Sequence, residues 1–174
     1  MKLLLLVSFI FMTSLFAITD DQLRTLQIVR DVARTVPAKN GETYEDTLSA
    51  ICLTESSAGK NLIGDFNKNV ILTKASLGVM QVQVATARFV AGKVESMSWI
   101  SSMSNAQIAN RLLTDVEFSA RIAAHYFVIL RDTRKKYLHS VSGYNGGMVN
   151  MPYYSRVMKN LTIINKLKEN KKLS

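Results

Sequence analysis

Glu55 sits in the run Thr54-Glu55-Ser56-Ser57, followed along the chain by Ser76-Leu-Gly-Val-Met80-Gln81 and then by Gly143-Tyr144-Asn145-Gly-Gly147. One carboxyl accompanied by amides and a phenol suits general acid-base work: a protonated acid gives its proton to a leaving oxygen as the bond breaks, and the polar neighbours hold the acid or the substrate. Such an acid must stay neutral near neutral pH, which an apolar surround achieves by desolvating the charged form. Leu48, Ile51 and Cys52 offer that surround on the same segment, and Met80 adds to it where the two segments meet.

Two-carboxylate chemistry has less support. Asp65 is the only acid close after Glu55 before the second motif, so it is the one candidate to position a water. Metal chemistry has less still. Cys52 is the single cysteine and His125 and His139 are the two histidines, which provides no cluster at zinc-ligand spacing. No metal and no cofactor are expected. Cys52 reads as a small buried hydrophobe, His125 as a core or boundary histidine, and Trp99 as a core anchor or a sugar platform.

The elements that must position these residues are helical. Thr19…Gln22, Ser104…Gln107 and Thr114…Glu117 have capping-box spacing, and Thr43…Asp46 is a weaker version of it. The pattern predicts helices over 20–35, 44–57, 105–113 and 115–136, with a last one from Pro152 toward Lys168. In the long helix Val116, Ala120, Ala123, Phe127 and Leu130 share one face. Only Val79–Val84 alternates with period two, so little or no sheet is expected. The stretches 59–76 and 139–151 are read as long loops beside the site.

The first seventeen residues differ from the rest. Met1-Lys2 precedes an uncharged apolar run ending at Ala17, and polar Thr19-Asp20-Asp21 follows. This is the pattern of a secretory signal peptide over 1–17, cleaved after Ala17, with one domain over 18–174. The chain is then exported to the periplasm or cell envelope. With 174 residues, 48% hydrophobic, it is long enough to bury a core without disulfides. Its net charge of +9 falls by only one with the leader. Such a charge suits anionic wall polymers, and an exported chain without basic-aromatic interleaving is not a nucleic-acid binder.

Taken in order, Glu55-Ser56, Gly78-Val-Met80-Gln81 and Gly143-Tyr144-Asn145-Gly-Gly147 resemble the catalytic motifs of the soluble lytic transglycosylase family. The segment 113–130 is similar to the family's intervening helix and Tyr153-Tyr154-Ser-Arg-Val157 to its closing aromatic segment. The chain departs from the family pattern at Val79 (usually Leu), at Gly143 (usually Ala) and in a longer Glu55-to-Gly78 gap. The resemblance implies a mainly α, lysozyme-like single domain with a catalytic cleft, acting as a monomer on peptidoglycan glycan strands. Envelope-spanning secretion or conjugation machinery is a further partner it allows. It implies Glu55 as sole acid and base, with Ser56, Met80, Gln81, Tyr144, Asn145, Tyr153 and Tyr154 binding substrate. Tyr144 is the tyrosine expected to donate toward Glu55. Two alternatives stay open: a goose-lysozyme-like hydrolase using Asp65 or another loop acid, and a non-catalytic glycan-binding envelope-assembly module.

Overall fold

The structure, a computed structural model, describes residues 18–64 and 71–174. The expected leader over 1–17 and Asp65 therefore lie outside the described residues. Seven α-helices and two 3-10 segments make up the described chain: α1 (Asp20–Arg34), α2 (Glu45–Ser56), a 3-10 turn (Leu72–Lys74), α3 (Val84–Ala91), a 3-10 segment (Glu95–Ser102), α4 (Asn105–Thr114), α5 (Val116–Arg134), α6 (Tyr137–Tyr144) and α7 (Met151–Glu169). Pairing of the strand kind among them is limited to the isolated bridges Ile63 to Leu77 and Leu77 to Val82. The mainly α reading therefore holds.

Local chemistry explains most of the boundaries. Thr19 and Gln22 close a capping box on α1, as Ser104 and Gln107 do on α4. The other two expected boxes do not form. The Thr114 hydroxyl donates back to the Asn110 carbonyl, and Asp115 caps α5 by accepting from the Phe118 amide at 2.9 Å. At α2 the Thr43 hydroxyl donates to the Glu45 carboxylate, and Tyr44 precedes the helix with no side-chain cap. Helix α5 ends at Arg134 because Lys135 turns to φ +54°, two residues earlier than the spacing predicts.

Four elements escaped the sequence pattern: the 3-10 turn at Leu72–Lys74, α3, the 3-10 segment at Glu95–Ser102, and α6, which occupies the first half of the presumed 139–151 loop. Helix α6 has neither a side-chain cap nor a polar face, and contains a glycine. Its stability comes from tertiary burial of Ser140, Val141 and Ser142, which propensity does not report.

Helix α2 is the axis of the domain. Thr47, Leu48, Ser49, Ala50, Ile51, Cys52 and Ser56 are all buried, so this helix is covered on most of its circumference, with α1 and α7 packed against it. Helix α7 runs antiparallel to it. Lys168 pairs with Asp46 at one end, Asn160 donates to Thr54 at 2.9 Å, and Tyr153 meets Glu55 at the other. Helix α5 lays its Ala120, Ala123, Phe127 and Leu130 face into the same core, Phe127 standing edge-on to Tyr44 at 5.3 Å. A buried aromatic of this kind contributes about 1.5–3 kcal/mol.

Candidate active site

Glu55 lies in the last turn of α2, and the chain leaves that helix abruptly. Ser57, Ala58 and Gly59 all have positive φ, at 53°, 54° and 94°. For Ser57 and Ala58 this left-handed conformation costs about 1–2 kcal/mol each, so neighbouring groups must hold it. The Gln22 amide that completes the α1 capping box also donates to the Ser57 carbonyl at 2.8 Å. The buried Ser56 hydroxyl donates to the Val79 carbonyl at 2.7 Å and accepts from the Gly59 amide at 2.8 Å. Ser56 is thus a clamp between the end of α2 and the second motif, with no surface toward a ligand.

The second motif is a tight turn. Leu77 and Val82 exchange backbone hydrogen bonds at 3.0 and 2.9 Å around residues 78–81. Gly78 has φ +72°, and a Cβ there would lie 1.8 Å from the Leu112 carbonyl oxygen, so glycine is required twice over. Met80 is fully buried, and its carbonyl accepts from the Tyr144 hydroxyl at 2.9 Å. The Gln81 amide donates inward to the Gly78 and Asn61 carbonyls at 2.9 and 3.2 Å, which makes it a brace of the loop.

The tyrosine expected to serve the acid is displaced by another. Tyr144 spends its hydroxyl on Met80, while Tyr153, 1% exposed on the first turn of α7, donates to Glu55 Oε1 at 2.5 Å. Asn145 is exposed and accepts from the Asn150 amide at 3.0 Å; Asn150 in turn caps α7 by accepting from the Tyr153 backbone amide at 3.1 Å. The third motif therefore reaches Glu55 through the start of α7. Tyr154 points elsewhere, edge-on to Tyr137 at 6.3 Å, whose hydroxyl pairs with Thr47. It belongs to the packing around the N-terminal half of α2.

Electrostatics at the acid are asymmetric. Burial raises the Glu55 pKa above its ordinary value, against the opposing effects of the Tyr153 hydrogen bond and the Arg156 charge. The C-terminal, negative end of the α2 dipole adds in the raising direction. Burial and the Glu55 charge drive the Tyr153 phenol far upward, so Tyr153 keeps its proton and acts as donor. Glu55 itself is half-buried, with a face left for a reactant. Burial pushes the Cys52 thiol up to about 12, so it is an inert part of the wall.

Sequence reasoning missed three contributors. Tyr126 of α5 stands between Tyr144 at 5.8 Å and Phe89 at 6.2 Å, and Phe89 is 43% exposed, forming an aromatic wall beside the third motif. Tyr126 lies in the segment 113–130 but off the apolar stripe that the helical spacing marks. Arg156, three residues after Tyr153 and 5.8 Å over its ring, brings a cation to the acid. Trp99 is clamped instead between α4 and α5, tilted on Phe118 at 5.9 Å with the Arg111 guanidinium over both rings. The departure at Gly143 has a cause: the Arg134 guanidinium occupies the space of a Cβ, with its central carbon 2.5 Å from that position, and donates to the Gly147 carbonyl.

Among the described residues no cluster of His, Cys, Asp and Glu could hold a metal ion, and no helix is long and apolar enough to cross a membrane. The arrangement is one acid whose pKa burial raises, paired with a phenol donor and held on a hydrogen-bonded backbone frame. Comparison with curated proteins and with solved structures yields no match. The transglycosylase SLT domain model, however, matches residues 35–165, from just after α1 to late in α7, and takes in α2, the 78–81 turn and the first turn of α7. On that match the chain belongs to the transglycosylase SLT domain family, lysozyme-like and all-α, whose activity is lytic transglycosylation of peptidoglycan.

Proposed function

We propose that this protein is an exported lytic transglycosylase that cleaves the β-1,4 bond between N-acetylmuramic acid and N-acetylglucosamine, with Glu55 as the only acid and base. The observation that carries this reading is the pairing of a half-buried Glu55, its pKa raised by burial, with a phenol donor and no second described carboxylate beside it. Neutral Glu55 protonates the glycosidic oxygen as its bond to C1 breaks, and positive charge develops on the muramoyl ring. The substrate's own acetamido oxygen stabilises that charge. Glu55, now a carboxylate, takes the proton of the C6 hydroxyl, whose oxygen bonds to C1 and closes a 1,6-anhydro ring. No water is consumed, and the nucleophile gains from being part of the substrate.

Tyr153 supports both halves of the cycle. Its hydroxyl holds one carboxyl oxygen in place and stabilises the transient carboxylate, so the other oxygen faces the leaving group. Phe89 and Tyr126 offer ring faces to the sugars. Export rests on the residue 1–17 leader, and the net charge of +9 suits encounter with an anionic wall.

Mass spectrometry of muropeptides released from purified sacculi tests the reading. Wild type should release fragments with 1,6-anhydromuramoyl ends and Glu55→Gln none. Reducing ends that incorporate oxygen from labelled water would overturn it in favour of hydrolysis.

A further inference from the structure

Arg134, the last residue of α5, is half-buried, yet among the described residues no ion pair includes it. Its guanidinium serves the backbone instead. Nη1 donates to the His139 carbonyl at 3.0 Å and to the Gly147 carbonyl at 2.5 Å, so one cation ties the first turn of α6 to the far end of the third motif. Bonds from an ionised donor are stronger than neutral ones.

The space the guanidinium takes is that of a side chain at residue 143. A Cβ on Gly143 would lie 2.5 Å from Arg134 Cζ, 2.6 Å from Nη1 and 2.8 Å from Nε. Gly143 is buried inside α6, and its φ is not among the positive values. A glycine there weakens the helix relative to alanine without easing the backbone. What it supplies is room for Arg134.

The frame that Arg134 closes leads to the acid. The Gly143 carbonyl accepts from the Gly146 amide at 3.0 Å and from the Tyr126 hydroxyl at 3.4 Å, and the Ser142 carbonyl accepts from the Gly147 amide at 3.3 Å. Beyond Gly147, Met148 and Val149 are exposed and anchor nothing by burial. Asn150 follows, held by Asn145 and capping the Tyr153 amide. The turn that delivers Tyr153 to Glu55 is therefore fixed by hydrogen bonds, with Arg134 at its start.

We propose that Arg134, paired with Gly143, is a positioning residue for catalysis: it fixes the 144–150 turn and thereby sets the Tyr153 hydroxyl on Glu55. This role rests on the proposed function for the reaction it serves. Arg134 acts through the turn, since the phenol its charge reaches is Tyr126, whereas the cation acting on Glu55 is Arg156.

A double-mutant cycle with two readouts tests it. Release of 1,6-anhydro ends from soluble uncrosslinked glycan strands gives kcat and KM, and hydrogen exchange followed by mass spectrometry gives backbone protection over 144–154 without needing turnover. Arg134→Met keeps the bulk and removes the donors. Its kcat should fall about tenfold with KM little changed, and exchange over 144–154 should quicken about tenfold while α1 exchanges as in wild type. Arg134→Lys, still a cationic donor, should recover most of both. Gly143→Ala should reproduce the loss, but in an Arg134→Ala background it should cost nothing further, because the space is then open. Circular dichroism checks the fold of each variant. Additive effects of Arg134→Ala and Gly143→Ala, full kcat in Arg134→Met, or a lower melting temperature in that variant with wild-type exchange over 144–154 would each overturn the proposal. Coupled exchange without anhydro products from wild type counts against the proposed function alone; anhydro products from wild type with unchanged exchange in Arg134→Met count against the positioning role alone.

Discussion

The Tyr153 hydroxyl donates to Glu55 Oε1 at 2.5 Å across 98 residues of sequence, and this contact joins the first turn of α7 to the last turn of α2. It lowers the Glu55 pKa against the dominant raising effect of burial. Tyr153→Phe removes that opposition, so the Glu55 pKa rises further. The alkaline limb of the pH-rate profile, where the acid loses its proton, should therefore move to higher pH while kcat falls. Tyr144→Phe, which severs a bond to the Met80 carbonyl, should cost about 0.5–1.5 kcal/mol of stability and leave the position of that limb in place. A pH profile of turfnover for the two variants checks this; identical shifts would refute the division of roles.

Glu55→Gln should stabilise the protein at neutral pH. Because the folded pKa is raised above the unfolded value, the native state binds the extra proton between the two values and its stability falls as pH rises through that window. Above the folded pKa the whole penalty is present. Glutamine removes it while still accepting from Tyr153. Thermal unfolding from pH 4 to 8 should show a Tm difference in favour of the variant that grows with pH, and a variant less stable at neutral pH would contradict the account.

Asp46 has the opposite sign. Burial alone would raise its pKa, but hydrogen bonds from Lys168 and Arg30 outweigh it and the value falls below the ordinary one. Its contribution is present above the unfolded pKa, near 3.8, and is lost as pH falls through the lower folded value. Arg30 is 1% exposed and also donates to the Ser174 carbonyl at 2.7 Å, so Asp46→Asn leaves a buried guanidinium short of its charge partner. Because Asp46 is one-third exposed and Arg30 keeps its bond to Ser174, a loss of about 1.5–3 kcal/mol is expected, measured by denaturant unfolding at pH 7. The acid-unfolding transition of the variant should lose its component in that low-pH window.

Gly78→Ala should damage fold and site together. The new methyl would meet the Leu112 carbonyl oxygen, and the φ of +72° is unfavourable for alanine. The loss should exceed about 1 kcal/mol, and because the turn carries the Met80 and Val79 carbonyls that hold Tyr144 and Ser56, activity should fall even below the melting transition. Gly146→Ala is the control. It also has positive φ, but nothing lies within 4 Å of its Cβ position, so its effect should be confined to backbone strain.

The order of the motifs along the chain, the helical periods and two of the four capping boxes were legible from residue types and spacing. So were the mainly α class and Glu55 as the acid candidate, because a carboxyl on an otherwise apolar helix face stands out locally. Partner choice was not. Tyr144 lies in the more recognisable motif, yet its ring is turned toward Met80 by the packing of α6 on α5, and that helix itself owes its existence to burial. Ser56 and Gln81 carry polar groups suited to a ligand, but the left-handed exit of α2 and the tight 78–81 turn leave backbone carbonyls that those groups satisfy first.

By itself, then, the sequence determined which helices can form and which carboxyl has an apolar setting, since both follow from neighbours within a few residues. Tertiary structure alone decided that Tyr153 is the donor and that Tyr126 and Arg156 belong beside it. The antiparallel packing of α7 on α2 is the reason: it juxtaposes residues some hundred positions apart, and no local pattern encodes which face of one long helix meets which face of another.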